Sequence, residues 1–424
     1  MGKLLSAWSS AEAISFHSAA NQSAGCASVR TLFAPLSCAH FVSHYFEQRH
    51  LLSISSAPRR LAEIIAFGGG GDSVSLLRVH DLAPMAAHWK FKVGVDHSQA
   101  RLLLPNSFSH DPAYAEGDLL DGEAMASALR NNRTVVLHNV ELYWRPIGAL
   151  ALALMRNFGV YSQANVYYSA PGLPSAVHAH QDAQSVFIVQ CEGRKRWQLF
   201  APPQRWRLRF SQRGKAGDAA PPSELTEPLD DVILSAGDVL FVPRGMYHST
   251  STLFPRSRAA AAPLNGAEAD GALAATDVHA EGAHVPSLHV TVGVETDTDE
   301  WTWLALLRDA AEALKLPEAK KKLEAAQWHD EALRQALPLP LCRPAGSFDP
   351  ATPLGARWLG HARELLKEHL LHAQQHGPAS GARAAKLEAG LLRRALDDAL
   401  RPRQDLVERK RRQVEEFMAL SPPV

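Results

Sequence analysis

Net charge is the first thing this chain lacks: 44 lysines and arginines balance 44 aspartates and glutamates over 424 residues. With a sequence pI near 7.4 there is no global field to draw a polyanion, so duplex DNA or RNA gets no support as a ligand. A polypeptide substrate is compatible with that balance. Cysteine is scarce as well. Cys26, Cys38, Cys191 and Cys342 are scattered without Cys-x-x-Cys spacing, which argues against structural zinc and fits reduced thiols in an intracellular protein. No apolar run is long enough to span a bilayer. The first forty residues are rich in serine and alanine, with Glu12 as their one acid, but poor in arginine. A flexible leader over residues 1–34 is the plain reading and a transit peptide the alternative. Met1-Gly2-Lys-Leu-Leu-Ser6 fits an acylation pattern, although one acyl chain anchors only marginally.

What is present describes an ordinary globular protein, 46% hydrophobic and 21% charged, long enough for two or three domains. Residues 35–160 read as a mixed α/β lead-in. Gly68-Gly-Gly-Gly71 within it is not followed by Lys-Ser/Thr, so a surface loop is the default over a phosphate loop. From about 160 to 300 the pattern is that of short strands with Gly/Pro turns. Val186, Ile188 and Gln190 alternate with Phe187, Val189 and Cys191; Glu192-Gly193-Arg194 turns the chain, and a second strand runs from Lys195 to Phe200. Val232-Ile-Leu, a turn at Ser235 to Asp238 and the apolar run Val239 to Val242 repeat the plan, with Asp238 as a turn-stabilising side chain. Ser287, His289 and Thr291 share one face of a later strand, with Leu288, Val290 and Val292 on the other. Such strands predict a β-barrel or sandwich with a wet interior face. Arg205 to Pro228 and the Ala/Gly-rich stretch 256–286 read as a long loop and a flexible insertion.

Two segments of this region carry chemistry. His180-Gln181-Asp182 opens the strand that contains Val186, and His248 closes Gly237-Asp-Val-Leu-Phe-Val-Pro-Arg-Gly-Met-Tyr-His248. Two imidazoles and a carboxylate are the set that holds non-haem Fe(II) on one face and leaves the other open. With twenty histidines in the chain, His-x-Asp arises easily by chance. His178 completes no such set, because the residue two places on is histidine. Strand context and the Gly-Asp…Pro-Arg-Gly…His lead-in distinguish the pair. Trp197 and Phe187 read as core residues.

Taken in order, Asn165-Val-Tyr-Tyr-Ser-Ala-Pro-Gly, His180-Gln-Asp, Val186 through Trp197, Gly237 through His248 and Ser287-Leu-His-Val-Thr resemble the JmjC-type ribosomal oxygenases of the cupin superfamily. The likeness covers roughly residues 35–340. Phe41 to Leu52 looks like the family's opening helix and first strand, and Leu333-Arg-Gln-Ala-Leu-Pro-Leu-Pro like the lead into its helical dimerisation domain. The implied fold is α+β: a double-stranded β-helix (jelly-roll/cupin) barrel with a mixed α/β N-terminal part and a C-terminal helical bundle. A catalytic domain at 35–300, with its core at 160–300, would precede a bundle at 301–424.

Carried over position by position, the resemblance makes His180, Asp182 and His248 ligands of Fe(II). It gives Lys195 to the distal carboxylate of 2-oxoglutarate, Asn165 and Ser287 to the cosubstrate or substrate pocket, and Tyr167 to the substrate. Lys195 otherwise reads as a solvated charge in the turn Gly-Arg-Lys-Arg. The implied activity is that of a dioxygenase using 2-oxoglutarate and O2 to hydroxylate a protein side chain, a histidine or arginine of a ribosomal protein. Lysine demethylation on histones is a second reading, and a non-catalytic cupin binding scaffold a third. The nucleus, nucleolus or cytoplasm would be its place.

After Glu300 the periodicity is helical. Trp301, Leu304, Leu307 and Leu314 make one apolar stripe, and Trp358, Leu365, Leu366 and Leu370 another; Leu387 to Leu396 predicts a third helix and Leu406 to Leu420 a fourth. In the resembling family such a bundle pairs two protomers, so a homodimer is the implied partner. The charge run Glu408 to Arg412 reads as a solvated helix face. Larger family members end in a winged-helix domain, which by this pattern is missing or cut short here.

Overall fold

The structure, a computed structural model, describes residues 32–33, 36–53, 76–94, 99–201, 225, 227–254, 285–295, 301–327, 329–337, 346–371 and 389–420. Most of the leader, the glycine run at 68–71, nearly all of the loop at 205–228 and nearly all of the stretch 256–286 lie outside them.

Helix α1 (Cys38–His44) starts where the Ser37 hydroxyl accepts the His40 N–H at 3.2 Å, a side-chain cap for an otherwise orphaned donor. Strand β1 (Leu51–Ser53), helix α2 (Val79–Trp89), strand β2 (Ala100–Leu103), helix α3 (Gly122–Arg130), strand β3 (Thr134–Leu137) and helix α4 (Arg145–Phe158) complete the lead-in. Then come the strands β4 (Ser162–Ser169), β5 (Val177–His180), β6 (Ser185–Glu192), β7 (Arg194–Phe200), β8 (Asp230–Ser235), β9 (Val239–Val242), β10 (Tyr247–Ser251) and β11 (Ser287–Val294). They form a seven-stranded sheet in the order β1-β9-β6-β11-β4-β3-β2 and a four-stranded sheet in the order β5-β10-β7-β8. All pairings between these strands are antiparallel. This is the double-stranded jelly roll that the resemblance implies, and one form of the barrel or sandwich read from the strand pattern. The larger sheet draws β1, β2 and β3 from the lead-in, so the barrel reaches beyond the 160–300 core.

Alternation decides which residues face the cavity and which face the helices. On β11, Leu288, Val290 and Val292 join an apolar core with Phe41, Phe158, Phe187 and Phe241, against which α1 and α4 pack. Between the sheets, Val186, Ile188, Leu199, Leu234, Leu240 and Val242 form a smaller core that closes one side of the barrel. The β6–β7 hairpin turns on Gly193 alone, at φ 65°, where a Cβ would run into the Pro286 carbonyl oxygen. At the β8–β9 turn the Asp238 carboxylate accepts the Ser235 N–H at 2.8 Å, the turn-holding role read from the sequence.

The C-terminal part is helical: α5 (Trp303–Ala313), α6 (Pro317–Ala326), α7 (Glu331–Arg334), α8 (Pro353–Leu371) and α9 (Ala389–Leu420). Three features differ from the expected helical pattern. Trp301 precedes α5 rather than lying in its stripe, and Leu391 is 43% exposed. The third and fourth predicted helices are one helix of 32 residues that runs through Pro402. Proline takes away one donor of the helical ladder. Beside it, the Arg403 side chain adds a donor, its Nη1 reaching the Ala399 carbonyl at 2.6 Å.

Candidate metal centre

His180 ends β5 and His248 lies on β10, and the two are cross-strand partners in register. Paired residues project on the same face about 5 Å apart, so antiparallel pairing alone brings the imidazoles together. Their ring centroids are 4.2 Å apart. Asp182 follows β5 by two residues, and its Oδ2 lies 3.7 Å from His248 Nε2. One donor atom from each of the three lies within 4.8 Å of the others, the spread of a common ion. His180 and His248 are buried and Asp182 is partly exposed. His248 Nδ1 is 3.2 Å from the Met246 carbonyl. A carbonyl only accepts, so Nδ1 carries the proton and Nε2 offers its lone pair toward Asp182. This donor set of two imidazole nitrogens and one carboxylate oxygen suits a divalent first-row metal with open positions.

Lys195 enters the same cavity from β7. It is 1% exposed, and its Nζ donates to Ser169 Oγ at 2.9 Å. Burial alone pulls its pKa down to about 7, because the ammonium is desolvated and, among the described residues, no anion offsets that loss. Ser169 Oγ also accepts from Thr134 Oγ1 at 3.1 Å, so the lysine is anchored across the barrel to the larger sheet.

Tyr167 lines the cavity, with Lys195 Nζ 5.9 Å from its ring centre, and burial pushes its phenol pKa up. Asn165 and Ser287 differ from expectation: neither is among the residues lining the cavity. Asn165 Oδ1 is 3.2 Å from His138 Nδ1, and Ser287 Oγ accepts from Gln190 Nε2 at 3.0 Å. Both still lie on the inward face of the larger sheet, Asn165 opposite Thr291 and Ser287 opposite Ser169.

Several lining residues went unassigned in the sequence. His289 is buried, stacked on Tyr167 at 4.9 Å and edge-on to Trp197 at 5.5 Å. Desolvation, helped by the nearby Lys195 ammonium, holds its pKa well below the ordinary histidine value, so it stays neutral. The alternation of β11 was its signal, since it places His289 and Thr291 on the cavity face. Trp197 belongs to the inter-sheet core as expected and also lines the cavity, 5.7 Å from His248. Phe108 stands edge-on to His180 at 4.6 Å and comes from a loop with no sequence signature. Cys191 stays outside the lining, its thiol pushed up to about 12 by burial.

A jelly roll with this triad on its inner face defines a class, and comparison agrees: residues 145–261 match the family described as the JmjC domain. The matched residues run from α4 through β10 and include His180, Asp182, Lys195 and His248. Over 239 residues it is 27% identical to ribosomal oxygenase 1 of Danio rerio, covering 54% of this chain and 35% of that protein. Over 135 residues it is 33% identical to the bifunctional lysine-specific demethylase and histidyl-hydroxylase NO66 of Drosophila mojavensis, covering 31% of this chain and 15% of that protein. The chain thus spans about a third or less of the length of these two relatives. Among solved structures, YcfD, a ribosomal oxygenase from Escherichia coli in complex with cobalt and 2-oxoglutarate, aligns at 16% identity and a TM-score of 0.37. That alignment covers 79% of this chain and 68% of the other. Among the described residues, no helix is long and apolar enough to cross a membrane.

Proposed function

We propose that this chain is an Fe(II)- and 2-oxoglutarate-dependent dioxygenase that hydroxylates a protein side chain, a histidine or arginine of a ribosomal protein. The observation that carries this reading is one cavity holding both a three-donor cluster and a buried lysine that no anion among the described residues compensates. His180, Asp182 and His248 would hold the metal, which when bound supplies oxygen activation. Lys195 would receive the distal carboxylate of the cosubstrate. In a desolvated pocket that pair is stronger than on the surface, and filling it would supply the missing counter-charge. Tyr167, Trp197 and His289 wall the cavity with rings, exclude water and leave Asp182 as the one lining carboxylate among the described residues. The name of the zebrafish relative supports a ribosomal target.

The test is incubation of purified protein with Fe(II), 2-oxoglutarate and ribosomal peptides, reading succinate and a mass gain of one oxygen on peptide. His180→Ala and Asp182→Ala should each abolish turnover with the circular dichroism unchanged; activity retained in both variants would refute the ligand assignment. The name of the Drosophila relative favours a second reading, lysine demethylation. Release of formaldehyde from methyl-lysine peptides separates it from hydroxylation. A binding scaffold without turnover predicts no uncoupled decarboxylation of 2-oxoglutarate. Pairing of two copies through the C-terminal helices is part of this proposal, and sedimentation at micromolar concentration tests it. A place in the nucleus, nucleolus or cytoplasm is likewise proposed, and imaging of a tagged chain tests it.

A further inference from the structure

The turn Pro243-Arg244-Gly245 links the two halves of the donor set. Gly245, at φ 82°, donates its N–H to the Asp182 carbonyl at 3.1 Å. The Arg244 N–H donates to Ser185 Oγ at 3.1 Å. The loop that carries Asp182 is therefore stitched at both ends to the turn that leads into His248.

The side chain of Arg244 ties this turn to two distant parts of the chain. It is 2% exposed, and its Nε and Nη2 lie 2.8 and 2.6 Å from Glu47 Oε1. Nη2 also donates to the backbone carbonyl of Arg334. Glu47 Oε2 accepts the N–H of Ala336 at 2.9 Å, and Glu47 itself sits in the left-handed region at φ 57°. Residues 335–337 in turn bond the start of α5, through Trp303 N–H to the Gln335 carbonyl at 3.1 Å and Leu337 N–H to the Trp301 carbonyl at 2.8 Å. Arg244 thus joins the turn after α1 and the C-terminal helical part, through its guanidinium, to the loop of the donor set, through its backbone N–H. A backbone in the left-handed region is kept only where its surroundings over-determine it.

We infer that Arg244 is a positioning residue for the His180/Asp182/His248 cluster, setting the Asp182 loop against His248 according to how the segment 334–337 is docked. This rests on the reading that the cluster binds a divalent metal. The geometry calls for arginine in particular. A planar fork serves the Glu47 carboxylate and the Arg334 carbonyl at once, whereas a lysine ammonium is a single point of charge on a flexible stem.

Titration of the metal-free full-length chain with Co(II), read by the visible absorption of bound cobalt, tests this with no turnover involved. Thermal unfolding in chelator runs alongside. Wild type should bind, with His180→Ala as the non-binding control. Arg244→Lys should weaken Co(II) binding about 10–100-fold, the range for partners that orient metal ligands, and shift the cobalt bands. Glu47→Gln should move both in the same direction by a smaller factor. A purely structural clamp lowers the unfolding temperature and leaves the affinity and spectrum of the folded protein alone; that outcome overturns the inference. If Arg244→Lys does not fold, Glu47→Gln decides the matter by the same two readouts. Wild type that fails to bind Co(II) overturns the metal reading itself, and this inference with it.

Discussion

At the scale of single residues, Lys195 carries the sharpest consequence. Its depressed pKa of about 7 means the unliganded site holds an ammonium below that pH and a neutral amine above it. The unfolded lysine keeps its proton to about 10.4 while the folded one gives it up near 7, so the unfolded state binds more protons between the two. Stability of the unliganded chain therefore rises with pH across that window. For the proposed cosubstrate the sign reverses: a bound carboxylate favours the ammonium, so KM for 2-oxoglutarate should climb as pH rises above about 7. Lys195→Met should raise that KM by about two orders of magnitude at neutral pH, as expected for losing one partner of a buried charge pair, and flatten its pH dependence. A KM profile that is the same in wild type and variant would remove the lysine from the pocket. At this scale the meeting of His180, Asp182 and His248 was legible, because His180-Gln-Asp182 is local and His248 sits on a strand with its own turn signals. The Arg244–Glu47 pair was not, since its members lie 197 residues apart and nothing in either segment points to the other. Asn165 and Ser287 were legible only by resemblance; both share the inward face of their strands with Tyr167, His289 and Thr291, and His138 and Gln190 engage their side-chain oxygens.

At the scale of elements, the hairpin between β6 and β7 sets the position of Lys195, two residues past its turn. Gly193 has both a positive φ and the Pro286 carbonyl oxygen where a Cβ would stand. Gly193→Ala therefore meets backbone strain and a clash with backbone that has no rotamer to yield. Together these should cost about 2–4 kcal/mol, read by urea unfolding with an unchanged slope. A variant within about 0.5 kcal/mol of wild type would mean that Pro286 moves aside freely. The glycine was readable as a turn, and its crowding was not, because Pro286 adjoins a stretch whose course no periodicity reveals. Strands β6 to β9 fell where alternation and turn residues put them. The helices fared less evenly. The third and fourth expected helices are joined as α9, which continues through Pro402 because a proline costs a helix one donor and packing on both sides of it can outweigh that loss. Leu396 and Leu400 before it and Val407 and Val414 after it are all buried.

At the scale of the whole molecule, the question is whether barrel and helical part unfold as one. Their apolar core is continuous: the cluster that contains Phe41, Phe187 and Val290 also contains Leu306, Leu366, Leu396 and Val414. The end of α9 crosses α4 at close range, with Val414 and Met418 3.5 and 3.1 Å from the position of a Cβ on Gly148. Nearby, the buried Glu141 accepts from the Tyr161 hydroxyl and the Ala164 N–H, and Lys410 Nζ lies 3.9 Å from the Tyr161 ring centre. These contacts join the last helix to the strand that begins the barrel core. Sequence periodicity marks an apolar stripe on α9 but not the surface it covers, so this docking had no sequence signature. Val414→Asp puts a carboxylate at a fully buried position against α4, where it loses its hydration. If the core is one cooperative unit, the substitution should lower stability by about 3 kcal/mol or more and move the whole denaturation curve, with tryptophan fluorescence and far-UV circular dichroism still coincident. Two separated transitions, with the barrel's unchanged, would instead make the helical part an independent domain and leave Arg244 as a contact between neighbours rather than a link within one core.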